Sequence, residues 1–195
     1  MTKKIFAIAV SLALAAPVFA DPGFYIQGDA GVSKLKIKYD DGDSFSKSSF
    51  SPRFTVGYDF GNNWRGGVDY THYKSVKYGG AKPNSDAYES GKAKFQSVGV
   101  SAIYDFPVSE KVKPYLGARV GLNRFSDKYH YSNSYYSRSE SESKTKTGVG
   151  VLAGVGVNVT DNITLDAGYR YNYWGKYEFT KLHTQELSAG VRVKF

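Results

Sequence analysis

Twelve charged residues occupy a single strand phase of this chain. Asp29, Asp59, Asp69, Asp105, Asp166 and Glu186 stand against Arg53, Arg65, Arg119, Arg170, Arg192 and Lys194. Their neighbours along the chain are apolar or aromatic, and much of the remaining charged phase is glycine. Six acids against six bases form a neutral set. Such a set on a small-residue face suits a narrow interior, because unpaired buried ions are expensive. The same residue types could also serve acid–base chemistry, and His72, His130 and His183 would be its natural partners. A hydrolase sets a histidine against a nucleophile and a carboxylate. No motif here singles out a serine, and no pair of ligand types has metal-site spacing. Without cysteine there is no thiolate site or disulfide framework. The expectation is a non-enzyme without catalytic, cofactor-binding or metal-ligating residues.

The elements that must position these charges are strands. In DNITLDAGYRYNYWG, residues 161–175, Ile163, Leu165, Ala167, Tyr169, Tyr171 and Tyr173 alternate with Thr164, Asp166, Gly168, Arg170, Asn172 and Trp174. Successive side chains of a strand point to opposite faces, so the segment has one tyrosine-rich face and one charged face. The pattern recurs around Phe24–Val32, Phe54–Phe60, Trp64–Tyr70, Val98–Phe106, Leu116–Leu122, Val149–Val157 and Leu187–Phe195. Eight strands result, and no segment has helical periodicity.

Their connections alternate in size. Short turns are GNN at 61–63, PVSEKV at 107–112 and TDN at 160–162, while longer ones cover roughly 34–49, 74–94, 124–146 and 175–182. Short turns at one end and long loops at the other are the pattern of an outer-membrane barrel, with both termini on the periplasmic side. In a soluble sandwich the apolar face would turn inward. Here that face carries Trp64, Tyr58, Tyr70, Tyr104 and the tyrosines of 169–173 near strand ends, as interfacial aromatic girdles do. The expected fold is therefore all-β: an eight-stranded antiparallel transmembrane β-barrel with four long extracellular loops and three short periplasmic turns. Its greasy face meets lipid and its charged face lines the lumen.

Export fits this reading. MTKKIFAIAVSLALAAPVFA has two lysines, a short apolar run and a small-residue exit, the three-part form of a signal peptide over residues 1–20. Residues 21–195 then form one barrel domain in the outer membrane of a Gram-negative bacterium. Without Lys3 and Lys4 the chain has 24 basic and 18 acidic residues, a net charge of +6.

The segments FSPRFTVGYDF, VDYTHYKSVK, SVGVSAIYDF, VKPYLGARVGLNR, LDAGYRYNYWGK and ELSAGVRVKF resemble the opacity-protein (Opa) family of neisserial surface proteins, catalogued as opacity family porins. The resemblance covers all eight strands and the short turns, and it lapses in the long loops. It implies a surface antigen and adhesin binding host receptors or sulfated glycans through extracellular loops. For one neisserial branch it implies binding of a complement regulator and an apolar cleft between the loops. The closing Phe195 resembles the signal read by the barrel-assembly machinery.

Charge and composition locate candidate contacts in the loops. The neutral lumen leaves the four outward segments with +7, and an outward basic rim attracts polyanions. Lys77, Lys82, Lys92 and Lys128 are candidates for a sulfated glycan or for lipopolysaccharide phosphates at the membrane surface. YHYSNSYYSRSESESKTKT is rich in serine and tyrosine, the composition of binding loops, which adds Tyr129, Tyr131, Tyr135, Tyr136 and Arg138. The same composition fits a solvated extension that only shields the surface. The expected function is recognition of a receptor, glycan, serum protein or lipid through the loops. The alternative is a narrow-pore porin, although an eight-stranded interior is only wide enough for side chains. A monomer is expected, with membrane lipid as its constant partner, no nucleic-acid partner and no cofactor.

Overall fold

The structure, a computed structural model, describes residues 22–39, 44–81, 88–132, 136–177 and 180–195. The predicted segment 1–20 lies outside them. The described residues form nine strands: β1 Gly23–Tyr39, β2 Ser44–Phe50, β3 Arg53–Asp59, β4 Trp64–Ala81, β5 Tyr88–Asp105, β6 Val112–Ser132, β7 Ser137–Asn158, β8 Ile163–Tyr177 and β9 Thr180–Lys194. Each of β3 to β8 pairs antiparallel with the next, and β9 returns to β1 from Tyr25↔Lys194 to Tyr39↔Thr180. The sheet thus closes through β1 and β9, while among the described residues β2 is paired on one side only, by β1.

Nine strands make eight staves. Both β2 and β3 pair with β1, one above the other, and the chain between them is Ser51–Pro52. Proline has no N–H to give the ladder. The ladder is carried past it by Ser51 N–H to Gly31 O at 2.8 Å and His72 N–H to Pro52 O at 3.1 Å. The eight strands expected from alternation are these eight staves.

The short turns fall where turn chemistry places them. Gly61 and Asn63 take positive φ, and Asp59 Oδ1 accepts from Gly61 N–H at 3.0 Å. Ser109 Oγ accepts from Val112 N–H at 2.9 Å, and Thr160 Oγ1 from Ile163 N–H at 3.0 Å.

The two faces are inverted relative to a soluble protein. Phe24, Val32, Val68, Val100, Leu116, Val120, Val151 and Leu187 lie open on the outer face, Leu187 at 68% exposure. Asp29, Arg65, Asp69, Arg119, Asp166, Arg170 and Glu186 are buried inside. An apolar belt of this extent on a closed sheet is stable in lipid, where every backbone group is already paired. Edge-to-face pairs Phe24–Tyr58 at 4.9 Å, Trp64–Tyr104 at 5.2 Å and Tyr104–Phe106 at 5.1 Å mark the belt's short-turn end. No helix among the described residues is long and apolar enough to cross a membrane.

At the other end the predicted long loops are mostly ladder. β6 and β7 pair without interruption from Val112↔Val157 to Ser132↔Ser137, and β4 with β5 as far as Ala81↔Tyr88. The outward apolar series on β6 ends at Leu122, so ten more residues stand beyond it. At about 3.4 Å each on a strand tilted by about 40°, that is roughly 25 Å of hairpin above the belt. The polar sequence hid this, because a strand wet on both faces has no hydrophobic alternation to reveal it.

Candidate functional site

Six of the inward charges form one chain of alternating sign. Asp29 binds Arg53 Nε at 3.0 Å, and Arg53 Nη1 donates to Glu186 at 2.6 Å. Glu186 meets Arg170 Nη2 at 2.9 Å, Arg170 Nη1 meets Asp69 at 3.2 Å, and Asp69 accepts from Arg119 Nε at 2.7 Å. The members come in that order from β1, β3, β9, β8, β4 and β6, so the chain crosses the lumen and ties staves that are not neighbours. Three carboxylates and three guanidinium groups leave it neutral. Ser33 Oγ also donates to Glu186 at 3.0 Å, and Arg119 Nη2 to Ser97 Oγ at 2.9 Å.

The other six lie toward the short-turn end. Arg65 Nε reaches both oxygens of Asp105, at 3.1 and 2.8 Å, and its guanidinium lies 4.8 Å from the Tyr115 ring centre. Lys194 binds Asp59 at 3.2 Å, with the two side chains 21% and 29% exposed. Asp166 and Arg192 enter through aromatic residues: Tyr115 O–H donates to Asp166 at 2.7 Å, and Arg192 stacks 5.8 Å from the Tyr25 ring centre.

Glycines abundant on the inward face could leave space for water. Most of that space is taken by long side chains from adjoining strands. A Cβ at Gly99 or Gly121 would meet the Arg119 guanidinium, one at Gly57 or Gly67 the phenol end of Tyr25, and one at Gly154 or Gly168 the Tyr115 hydroxyl. A cavity of about 40 Å³ lies among Gln27, Arg53, Arg65, Asp69, Tyr115 and Arg170, room for one or two waters with polar partners.

Above the charges sits an apolar cap that the sequence reading missed. Tyr73, Ala93, Phe95, Trp174 and Leu182 are buried together, with Leu35 and Phe125 packed on them. Trp174 has no exposed surface; its ring lies 5.5 Å from Tyr73 and 6.2 Å from Phe95, and its Nε1–H donates to Thr184 Oγ1 at 3.1 Å. Register shifts follow at Tyr73/Val76 on β4 and at Tyr173/Gly175 on β8, beside the cap, and Gly175 has φ +96°. The signal was present: Arg170, Asn172, Trp174 and Asn123, Phe125 are one phase, turning from polar to aromatic toward the long-loop end.

The residues predicted for ligand contact do not gather on one face. Lys92 is directly opposite Lys128, and Lys77 is opposite Lys92, so three lysines stand in one row across β4, β5 and β6. Lys92 and Lys128 continue the outward phase of Val98 and Leu122. Tyr129 and Tyr131 belong to the other phase, and Arg138, opposite Tyr131, forms an ion pair with Glu140. Tyr136 is exposed between the strands, whereas Lys82 and Tyr135 lie outside the described residues. The three histidines are apart: His72 is opposite Gln96, His130 Nδ1 is 2.8 Å from Ser139 Oγ, and His183 stacks 5.8 Å from Tyr171. Among the described residues no group of three or more His, Asp or Glu could hold a metal ion.

The family model described as opacity family porin protein matches residues 56–195, from within β3 to the C terminus. The chain belongs to the opacity family. Opacity protein opA65 of Neisseria gonorrhoeae is 35% identical over 194 residues, covering 75% of this chain and 79% of the relative. Opacity protein opA58 of the same organism is 34% identical over 210 residues, covering 87% and 80%. The crystal structure of neisserial surface protein A aligns with 90% of this opacity-family chain and 99% of its own at 42% identity and a TM-score of 0.62. Ail of Yersinia pestis, crystallised with the heparin analogue sucrose octasulfate, shares the fold with a TM-score of 0.58 at 23% identity, over 87% and 99% of the two chains. This opacity-family barrel is thus an outer-membrane protein, and its short turns are the periplasmic end.

Proposed function

We propose that this opacity-family barrel is a surface-recognition protein whose lumen is closed and whose extracellular hairpins bind host or surface ligands, with residues 1–20 as the export signal. The observation that carries the reading is the alternating chain from Asp29 to Arg119 beneath the Trp174 cap. It ties six strands across the lumen, and the cavity among these charges has a volume of about 40 Å³, which supports a closed lumen. A hydrated ion needs a continuous path, and here each guanidinium is already held by a carboxylate. What the barrel offers its surroundings is then the roughly 25 Å of β6–β7 hairpin above the belt. On that hairpin Tyr129, Tyr131, Tyr136 and Arg138 supply contact area and a cation, and Lys128 there, with Lys77, Lys82 and Lys92 from elsewhere in the chain, adds positive charge for a receptor, a sulfated glycan or a serum protein.

Single-channel conductance of the refolded protein in a planar bilayer tests the closed lumen, with insertion verified by protease protection. A silent membrane is the expected result. Stable ion-sized openings would overturn it and make the chain a narrow-pore porin. Binding to heparin and to host-cell monolayers, compared between the native chain and Tyr129→Ala/Tyr131→Ala/Arg138→Ala, tests the hairpin. A signal unchanged by those substitutions would remove the hairpin from the reading.

A further inference from the structure

The lipid-ward face of the β5–β6–β7 sheet changes character within one row. Val98, Leu122 and Thr147 are directly opposite one another at the top of the apolar belt. The next outward row is Gln96, Arg124 and Thr145, followed by Lys94, Ser126 and Ser143, then by Lys92, Lys128 and Ser141. Four cations and a ladder of serine, threonine and glutamine thus continue the surface that meets lipid. Glu140 and Glu142 alternate onto the opposite face, where Arg138 and Lys144 pair with them. No acid among the described side chains balances the outward cations. Lys94, Gln96, Arg124, Ser126, Lys128, Ser141 and Ser143 together line an open groove of about 280 Å³.

Like charges directly opposite each other destabilise a strand pair, and Lys92↔Lys128 is such an arrangement. It becomes favourable when an anion sits between the charges. The groove's position says which anion: it opens sideways at the level where acyl chains give way to head groups, one row above Leu122 and Val98. Charged side chains there face phosphates, and the neighbouring hydroxyls and amide supply directional hydrogen bonds.

We infer that this groove is a binding site for the phosphorylated head group of an outer-leaflet glycolipid, with Arg124, Lys94 and Lys128 holding phosphate oxygens and Gln96, Ser126, Ser141 and Ser143 contacting the sugar. The lipid's acyl chains lie against Val98, Val100, Leu122 and Val120 below. The site is on the outer face of the sheet; it shares Lys92 and Lys128 with the proposed loop contacts and is independent of Tyr129, Tyr131 and Arg138 on the other face and of the state of the lumen.

The test uses the refolded full barrel in phosphatidylcholine nanodiscs titrated with bis-phosphorylated lipid A, dephosphorylated lipid A, and soluble sucrose octasulfate. Bound lipid is counted by native mass spectrometry. The native chain retains the phosphorylated lipid and not the dephosphorylated one. Each cation beside an anionic head group contributes about a factor of five, so Lys94→Gln/Arg124→Gln/Lys128→Gln weakens retention on the order of a hundredfold. Lys144→Gln/Lys146→Gln, whose positions lie in the opposite phase, leaves it within about twofold. Equal loss in both variants would reduce the effect to net charge and overturn the site. Retention of dephosphorylated lipid as strongly as phosphorylated would overturn it as well, and this comparison needs only the native chain. Sucrose octasulfate binding at the groove without lipid A retention would make it a glycan site instead.

Discussion

Replacing Glu186 by glutamine removes one charge from the middle of the cross-lumen chain and keeps its shape. Its side chain is fully enclosed and holds Arg53 at 2.6 Å, Arg170 at 2.9 Å and the Ser33 hydroxyl at 3.0 Å. Both arginines keep a second carboxylate, Asp29 at 3.0 Å and Asp69 at 3.2 Å, so neither is stripped of partners. The balance of three against three nevertheless becomes two against three, and one positive charge is left unmatched inside. Breaking a buried pair by removing one partner costs about 3–5 kcal/mol, and the retained contacts place this case near 3 kcal/mol. That is roughly a hundredfold in the folding equilibrium. Urea unfolding in lipid vesicles, followed by tryptophan fluorescence, measures it. Glu186→Gln/Arg170→Met restores two against two, with Asp29–Arg53 and Asp69–Arg119 intact, and is expected to recover at least half of the loss. Lys194→Met, which breaks the partly exposed Asp59 pair, costs about 1 kcal/mol. The reasoning fails if Glu186→Gln stays within about 1 kcal/mol of the native protein, or if the double variant loses as much as its two parts combined.

Trp174→Ala empties the centre of the apolar cap and is expected to cost about 3–5 kcal/mol in the same assay, with the blue-shifted component of the emission lost. Gly99→Val pushes into the Arg119 guanidinium and displaces it from Asp69, at about 1–3 kcal/mol, whereas Gly28→Ala, where a Cβ meets nothing within 4 Å, is neutral; equal unfolding midpoints for the two would refute the reading of the inward glycines.

The fold was legible because a barrel stave writes itself in period two. Phe54, Val56, Tyr58 against Arg53, Thr55, Gly57 needs no partner strand to be read as two faces. The inversion of those faces was legible too, from Trp64, Tyr104 and the 169–173 tyrosines at strand ends. Pro52 is equally plain in the sequence, yet only the pairing of Ser51 and Pro52 with Gly31 and His72 shows one stave broken rather than two strands. The hairpins above the belt gave no such signal, since both faces of SRSESESKTKT are polar and strand pairing there depends on register with β6.

By itself the sequence determined which residues could face each other: twelve charges in one phase, with signs that balance. Which charge meets which was decided only by the closed barrel. Asp69 finds Arg170 a hundred residues away because stave tilt and stagger bring β4 and β8 across the lumen, a distance no spacing rule contains. The same closure took Asp166 and Arg192 to tyrosines instead of to each other's side of the chain, and gathered Tyr73, Phe95, Trp174 and Leu182 from four strands into a cap. It also separated Lys128 from its neighbour Tyr129. Adjacent residues of a strand point in opposite directions, so one segment serves two surfaces.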